Sequence, residues 1–216
     1  MNKLVLITGT SQGIGLAIAQ EFLNNNYQVI GLDRKKSNIK NINYTHYQVD
    51  IFKDELPEIK NINILINNAG TQNDNDIDNN LKGTIKITEK YAFQDQIQSV
   101  LFIASASGNT GAEFPEYAAS KGGMIAYMKN VALRLGKYHA TSNSLSPGGV
   151  ITSLNKHILE DENLYKQVLD ETILHAWATV EEIAKWSYFV TVINKSMTGQ
   201  DILIDNGEAN KANFIW

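Results

Sequence analysis

The segment Tyr117-Ala118-Ala119-Ser120-Lys121 sets a phenol four positions before an ammonium, in a stretch that otherwise reads as helix. Positions i and i+4 share a helix face, so the two groups lie one above the other. If that face borders a cleft, the cation favours loss of the phenol proton, and the pair becomes an acid/base for an alcohol or carbonyl oxygen. A free phenol has a pKa of about 10, and bringing it two to three units nearer neutrality takes roughly 3 to 4 kcal/mol of preferential stabilisation of the phenolate. Lys121 would supply part of it. Such a base is needed where a hydride leaves an alcohol carbon while a proton leaves its oxygen. Alone, the pair is weak evidence, because Tyr and Lys are both common on helix surfaces.

A second group of residues suits a phosphate. The run Leu6 to Gly15, LITGTSQGIG, places Gly9, Gly13 and Gly15 between an apolar stretch and an amphipathic one. Lacking Cβ, these positions let the backbone approach a pyrophosphate, whose charge is met by free N–H groups and the helix dipole. The spacing is GxxxGxG rather than GxGxxG. Asp33 lies about twenty residues further on, where a carboxylate accepts hydrogen bonds from both ribose hydroxyls of an adenosine. Its charge repels a 2′-phosphate. Arg34, Lys35 and Lys36 follow, and a cation there would pair with such a phosphate. NAD is nevertheless expected over NADP, because the glycine turn itself carries no basic residue.

Holding these groups together requires strands that end where they sit. Strand signals recur at residues 3–8, 27–32, 44–49, 62–66, 99–104, 141–146 and 201–205. Helical stretches follow the first, with Ile14, Ala17, Ile18, Phe22 and Leu23 on one side, and recur near 80–97, 115–137 and 180–194. This alternation predicts an α/β chain with a Rossmann fold: a doubly wound, mostly parallel seven-stranded sheet with helices on both faces. The stretches Asp33 to Asp50 and Asp50 to Asn67 leave little room for crossover helices, so these connections are expected to be minimal or partly non-helical. The Asn-rich patches 24–26 and 72–80 read as turn-forming loops. No composition shift divides the chain, so residues 1–216 are expected to form a single domain. Residues 151–178 are apolar at helical spacing (Leu154, Ile158, Leu164, Val168, Leu169, Ile173, Leu174, Trp177) but fall outside the alternation, and are expected to form a substrate lid.

Composition removes several function classes. A formal charge of −4 gives no electrostatic reason to expect nucleic acid or an anionic membrane as partner. Without Cys there is neither a disulfide nor a thiolate metal site, and the four His (His46, His139, His157, His175) follow no HxxxH pattern, so no metal is expected. The opening MNKLVLITGTSQ has too short an apolar run for a signal-peptide core or a membrane span, which makes a cytoplasmic location the expectation.

Taken in order, the motifs resemble those of the classical short-chain dehydrogenase/reductase family over nearly the whole length. Thr8-Gly9-Thr10-Ser11-Gln12-Gly13-Ile14-Gly15 matches the TGxxxGxG cofactor turn, Asn67-Asn68-Ala69-Gly70 the NNAG motif, and Asn80-Leu81-Lys82-Gly83 the NxxG segment. Ser105-Ala106-Ser107-Gly108 is similar to the segment of the catalytic Ser and precedes Tyr117 and Lys121; Asn143 through Pro147-Gly148 to Thr152 is similar to the N-x-x-x-P-G stretch. The closing DGG is here Asp205-Asn206-Gly207-Glu208. The resemblance implies Tyr117 as general acid/base and Ser105, rather than Ser107, as orienter of the substrate oxygen. Lys121 would lower the tyrosine pKa and bind the nicotinamide ribose, and Asn80 would hold a water in a proton relay. It implies cofactor contacts from Gly9, Ser11, Gln12, Gly13, Ile14, Gly15, Asp33 and Arg34, from Asp50 and Ile51 at the adenine, and from Asn68, Ala69 and Gly70. Tyr117, Lys121, Pro147, Gly148, Val150 and Thr152 would hold the nicotinamide end.

The implied activity is hydride transfer between NAD(H) and a secondary alcohol or ketone, in a homo-oligomer (tetramer or dimer) built through the helices carrying Asn80 and Tyr117. The alternatives are an NADPH-dependent reductase of 3-oxoacyl thioesters or diketones, and a dinucleotide sensor without turnover. The apolar lid, with Lys156 and Lys166 as its only fixed cations, points to a small or moderately apolar carbonyl compound rather than a polyanion.

Overall fold

The computed structural model describes residues 3–72, 75–112 and 114–211. Seven strands, β1 (Leu4–Thr8), β2 (Gln28–Asp33), β3 (Tyr44–Gln48), β4 (Ile64–Asn67), β5 (Ser99–Ile103), β6 (Thr141–Pro147) and β9 (Asp201–Ile204), form one sheet. A two-stranded pair, β7 (Val150–Ile151) and β8 (Ala178–Thr179), lies apart from it. The order in the large sheet is β3-β2-β1-β4-β5-β6-β9, and every pairing is parallel. The winding reverses between β1 and β4, so their carboxyl ends diverge and open a crevice there.

Both faces of the sheet are covered. Helix α1 (Gly13–Asn24) buries Ile18 and Phe22 against Val5, Ile7 and Leu101, beside Ile183 and Val190 from α7 (Val180–Tyr188) and the π turn Phe189–Ile193. On the other face α2 (Gly83–Tyr91) and α4 (Pro115–Leu135) bury Ile87, Tyr91, Met124 and Met128 against Leu65 and Phe102. Burial on both sides explains why β1, β4 and β5 read as unbroken apolar runs. Strand β6 is buried yet polar, and its side chains are satisfied one by one: Ser144 and Ser146 both donate to Asp201 Oδ1, and Asn143 Nδ2 donates to the Met197 carbonyl.

Neither β2–β3 nor β3–β4 is joined by a helix, as their short spacing requires. The second connection closes the core with Leu56, Ile59 and Ile62, and α2 pins it: Lys86 Nζ donates to the carbonyls of Phe52 and Asp54, and the Tyr91 hydroxyl to that of Pro57.

Two expectations shift. The helix expected at 80–97 ends at Tyr91, where the Gln94 amide donates to the Tyr91 carbonyl and, through Oε1, accepts from the Ile62 N–H, turning the chain toward β5. The patch 72–80, read as a loop, is helical from Asp76 and becomes the π turn Ile77–Lys82, its Asp76 and Asn80 side chains bonded to Thr71 and Ser120. Asn73 and Asp74 of that patch lie outside the described residues. Short helices α3 (Ser107–Thr110), α5 (Lys156–Leu159) and α6 (Glu162–Asp170) complete the chain, the last two in the segment expected as a lid.

Candidate active site

A cleft of about 850 Å³ runs across the carboxyl ends of the strands and is lined from Gly13 at one end to Tyr117 and Trp177 at the other. The three glycines of the turn do different work. Gly9 lies at φ +78, and a Cβ there would stand 2.7 Å from Asn68 Nδ2; one at Gly15 would stand 2.1 Å from the Gly9 carbonyl oxygen. These two permit close packing of turn on turn. Gly13, at φ +56, meets nothing nearer than Thr152 Cγ2 at 4.0 Å and presents bare backbone to the cleft. It is the position a pyrophosphate would approach, just where α1 starts. Asn68 binds the two turns together, donating to the carbonyls of Thr8 and Gly9, while Thr8 Oγ1 accepts the N–H groups of Asn68 and Ala69.

At the adenosine end Asp33 is fixed by two backbone donors, Ser11 N–H to Oδ2 at 2.9 Å and Lys35 N–H to Oδ1 at 2.8 Å. A carboxylate has about four acceptor sites, so each oxygen retains capacity for a ribose hydroxyl. Lys35 Nζ swings back to Gln12 Oε1 at 2.8 Å. The glycine turn thus does have a cation on it, delivered from twenty-three positions away, which linear reading of the turn overlooks. Asp50 lies beyond the end of β3, and its Oδ1 accepts from the N–H groups of Phe52 and Lys53, a turn that places Ile51 in the cleft wall.

At the other end Tyr117 is half-buried on the first turns of α4 and faces the cleft. Lys121 Nζ stands 5.6 Å from the centroid of its ring and donates to the Ile103 carbonyl at 2.9 Å. Burial pushes the Lys121 ammonium down to about 8, partly opposed by the charge of Asp76. Ser105 Oγ, at the end of β5, accepts from the Ser107 N–H and donates to Ser107 Oγ, both at 3.2 Å, so Ser107 holds Ser105 in place. Pro147, Gly148, Val150 and Thr152 also line the cleft, with Thr152 reaching toward Gly13.

Two of the expected residues stand behind the wall. Ser11 meets the site through Asp33 and the Lys35 carbonyl, and Asn80 is fully buried. Asn80 does not cap a helix; it sits in the π turn, its Oδ1 accepting from the Thr71 N–H at 2.7 Å and its Nδ2 donating to the Thr71 carbonyl and to Ser120 Oγ. Single π turns of this kind recur at functional sites. No local motif marks His157, Glu171 and Glu208, which line the cleft from the lid and the tail, Thr71, which lines it beside Gly70, or Asp76, which stands behind Thr71. Glu208 follows the Asp205-Asn206-Gly207 turn, where Asn206 takes the left-handed φ of 54 that Asn tolerates.

The cleft fits a dinucleotide: bare backbone at a helix start, a carboxylate at the end of β2, and a Tyr–Lys pair at the far end of one continuous groove. Among the described residues no helix is long and apolar enough to cross a membrane. Residues 3–163 match the family model described as short chain dehydrogenase. The chain is 30% identical to the 3-oxoacyl-(acyl-carrier-protein) reductase of Buchnera aphidicola subsp. Schizaphis graminum over 237 residues, covering 95% of this chain and 96% of that one. The fold matches a solved structure described as 4-hydroxyisoleucine dehydrogenase complexed with NADH at a TM-score of 0.88 and 26% identity, covering 98% of this chain and 100% of the other. A structure described as ElxO with NADP bound matches at 0.84 and 25%, again covering 98% and 100%. The chain therefore belongs to the short chain dehydrogenase family and is an NAD(P)-dependent oxidoreductase.

Proposed function

We propose that this enzyme interconverts a secondary alcohol and a ketone, with Tyr117 exchanging the proton at the substrate oxygen and NAD(H) as the preferred cofactor. The observation that carries the reading is that Tyr117, Lys121 and Ser105 share one wall of a cleft whose opposite end is the open glycine turn. Gly13, Asp33, Asp50 and Lys121 would hold the dinucleotide, which when bound supplies or takes up the hydride at the substrate carbon. Ser105 Oγ turns its single O–H from Ser107 Oγ to the carbonyl oxygen of the substrate, while still accepting from the Ser107 N–H. Tyr117 delivers its proton to that oxygen in reduction and removes it in oxidation. Lys121 places positive charge beside the phenol, favouring its ionised form. Asn80, its amide spent on Thr71 and Ser120, holds the turn of α4 from which these groups project. Residues 151–178 act as the substrate lid of a single domain, supported by Leu154, Ile158, Val168 and Trp177 lining the cleft beside Glu171. An apolar lid with a carboxylate favours an uncharged substrate. The homo-oligomer expected through the helices carrying Asn80 and Tyr117 belongs to this reading, and Leu133, 82% exposed on α4, supports it.

NADP linkage, with a 3-oxoacyl thioester or diketone as substrate, is the second reading. Two observations favour it: Lys35 over the glycine turn, and the reductase activity named for the Buchnera relative. Titration with NADH and NADPH separates the two. The Asp33 charge predicts tighter binding of NADH by about tenfold or more, and Asp33→Ser should narrow or reverse the ratio. Tighter NADPH binding by the unaltered chain would overturn the NAD preference while leaving the site intact.

A further inference from the structure

Asp76 is a buried acid, 1% exposed, at the entrance to the π turn, and the proton transfer described above makes no use of it. Its Oδ1 accepts from Thr71 Oγ1 at 2.8 Å. Thr71 grips both ends of the Asn80 amide through its own backbone N–H and carbonyl, at 2.7 and 2.9 Å. Asn80 Nδ2 reaches Ser120 Oγ at 3.2 Å, and the Ser120 hydroxyl donates to the Tyr117 carbonyl at 2.7 Å. A continuous chain of hydrogen bonds therefore leads from Asp76 to the backbone of the helical turn that carries Tyr117 and Lys121.

The same acid answers a second need. Lys121 Nζ is enclosed and donates to a neutral carbonyl, that of Ile103. The segments packed against it, residues 67–72 and 103–108, contain no titratable side chain, and Tyr117 lies on its own helix. His157, Glu171 and Glu208 line the cleft from the lid and tail, and Asp33, Arg34, Lys35 and Asp50 line it at the adenosine end. A buried ammonium without a counter-charge is costly, and the acid that acts on this one is Asp76.

We propose that Asp76 is a positioning residue for the proton-transfer pair: through Thr71 it clamps Asn80 against Ser120, and as a buried counter-charge it keeps Lys121 an ammonium beside Tyr117. The role rests on the proposed reading of Tyr117 and Lys121. Its sign is set by the opposing influences on Lys121, which burial lowers to about 8 and Asp76 raises. Removing the acid must make Lys121 give up its proton at lower pH.

The test is Asp76→Asn in the full chain, with Lys121 followed by NMR of a ¹⁵N-labelled Nζ across pH in the absence of substrate. The midpoint should fall below that of the unaltered chain. In turnover, kcat should drop roughly 10- to 100-fold, with the alkaline limb of the pH profile for ketone reduction displaced downward. A folded Asp76→Asn protein that titrates Lys121 at the original pH overturns the proposal, as does one with unchanged kcat. Thr71→Val keeps the acid and cuts the link, so it should lower kcat about tenfold and leave the Lys121 midpoint in place; full kcat in that variant overturns the clamp. Because the titration needs no turnover, its failure is distinguishable from failure of the alcohol–ketone reading.

Discussion

Tyr117→Phe is expected to lower kcat/KM for ketone reduction by about 10²- to 10⁴-fold, the usual worth of a placed acid/base, while NADH still binds within a few-fold of its original affinity. The substitution removes one oxygen from a half-buried ring on α4 and leaves the ring's contact with Lys121 in place. The glycine turn and the NNAG turn are untouched, since they hold one another through Thr8 and Asn68, and Asp33 is fixed by the N–H groups of Ser11 and Lys35. Steady-state rates paired with a fluorescence titration of NADH read the two effects separately. Unimpaired turnover would contradict the role given to the phenol, and loss of cofactor binding would mean that Tyr117 serves the dinucleotide first.

Lys121→Met should cost at least about 10²-fold in turnover without unfolding the chain. Burying the ammonium depresses it from 10.5 to about 8, a cost of roughly 3 kcal/mol. Replacing it with an apolar side chain removes that cost and leaves the Ile103 carbonyl without its donor, a loss of about 1–3 kcal/mol. The two terms nearly offset, so the melting temperature should move by only a few degrees. The pH dependence carries the sign. Between about 8 and 10.5 the unfolded chain keeps a proton that the folded chain has released, so this group makes the fold more stable as pH rises through that window. Melting temperatures across pH should show that contribution in the unaltered chain and lose it in Lys121→Met. In the unliganded enzyme the same ionisation should make the capacity for ketone reduction fall as pH climbs past about 8.

Much of this was legible in the chain because the strands around β1 are buried on both faces and are written as apolar runs: Leu4–Thr8 and Ile64–Asn67 announce themselves. The glycine turn and the Tyr117–Lys121 pair were legible because each is local, its members within seven residues. What linear reading could not reach were contacts made across the fold. Lys35 returns to Gln12 from another strand's end, and it changes the electrostatics of a turn that carries no cation of its own. Gly15 lines the cleft and also serves a packing need that its spacing does not reveal, because a Cβ there would meet the Gly9 carbonyl. Residues 72–80 looked like a loop because Asn and Asp favour turns; buried against Thr71 and Ser120, Asp76 and Asn80 instead hold a π turn together. Polar side chains read as solvent-facing until their partners are known.

The measurement that reaches the central claim most directly follows the hydride and the proton together. Reduced cofactor carrying deuterium at the transferable position of its nicotinamide is incubated with a panel of ketones, and the products are read by mass spectrometry. The account predicts an alcohol with deuterium on the carbinol carbon, formed by the unaltered chain and suppressed in Tyr117→Phe. An alcohol formed without deuterium, or formed equally fast by Tyr117→Phe, would contradict it.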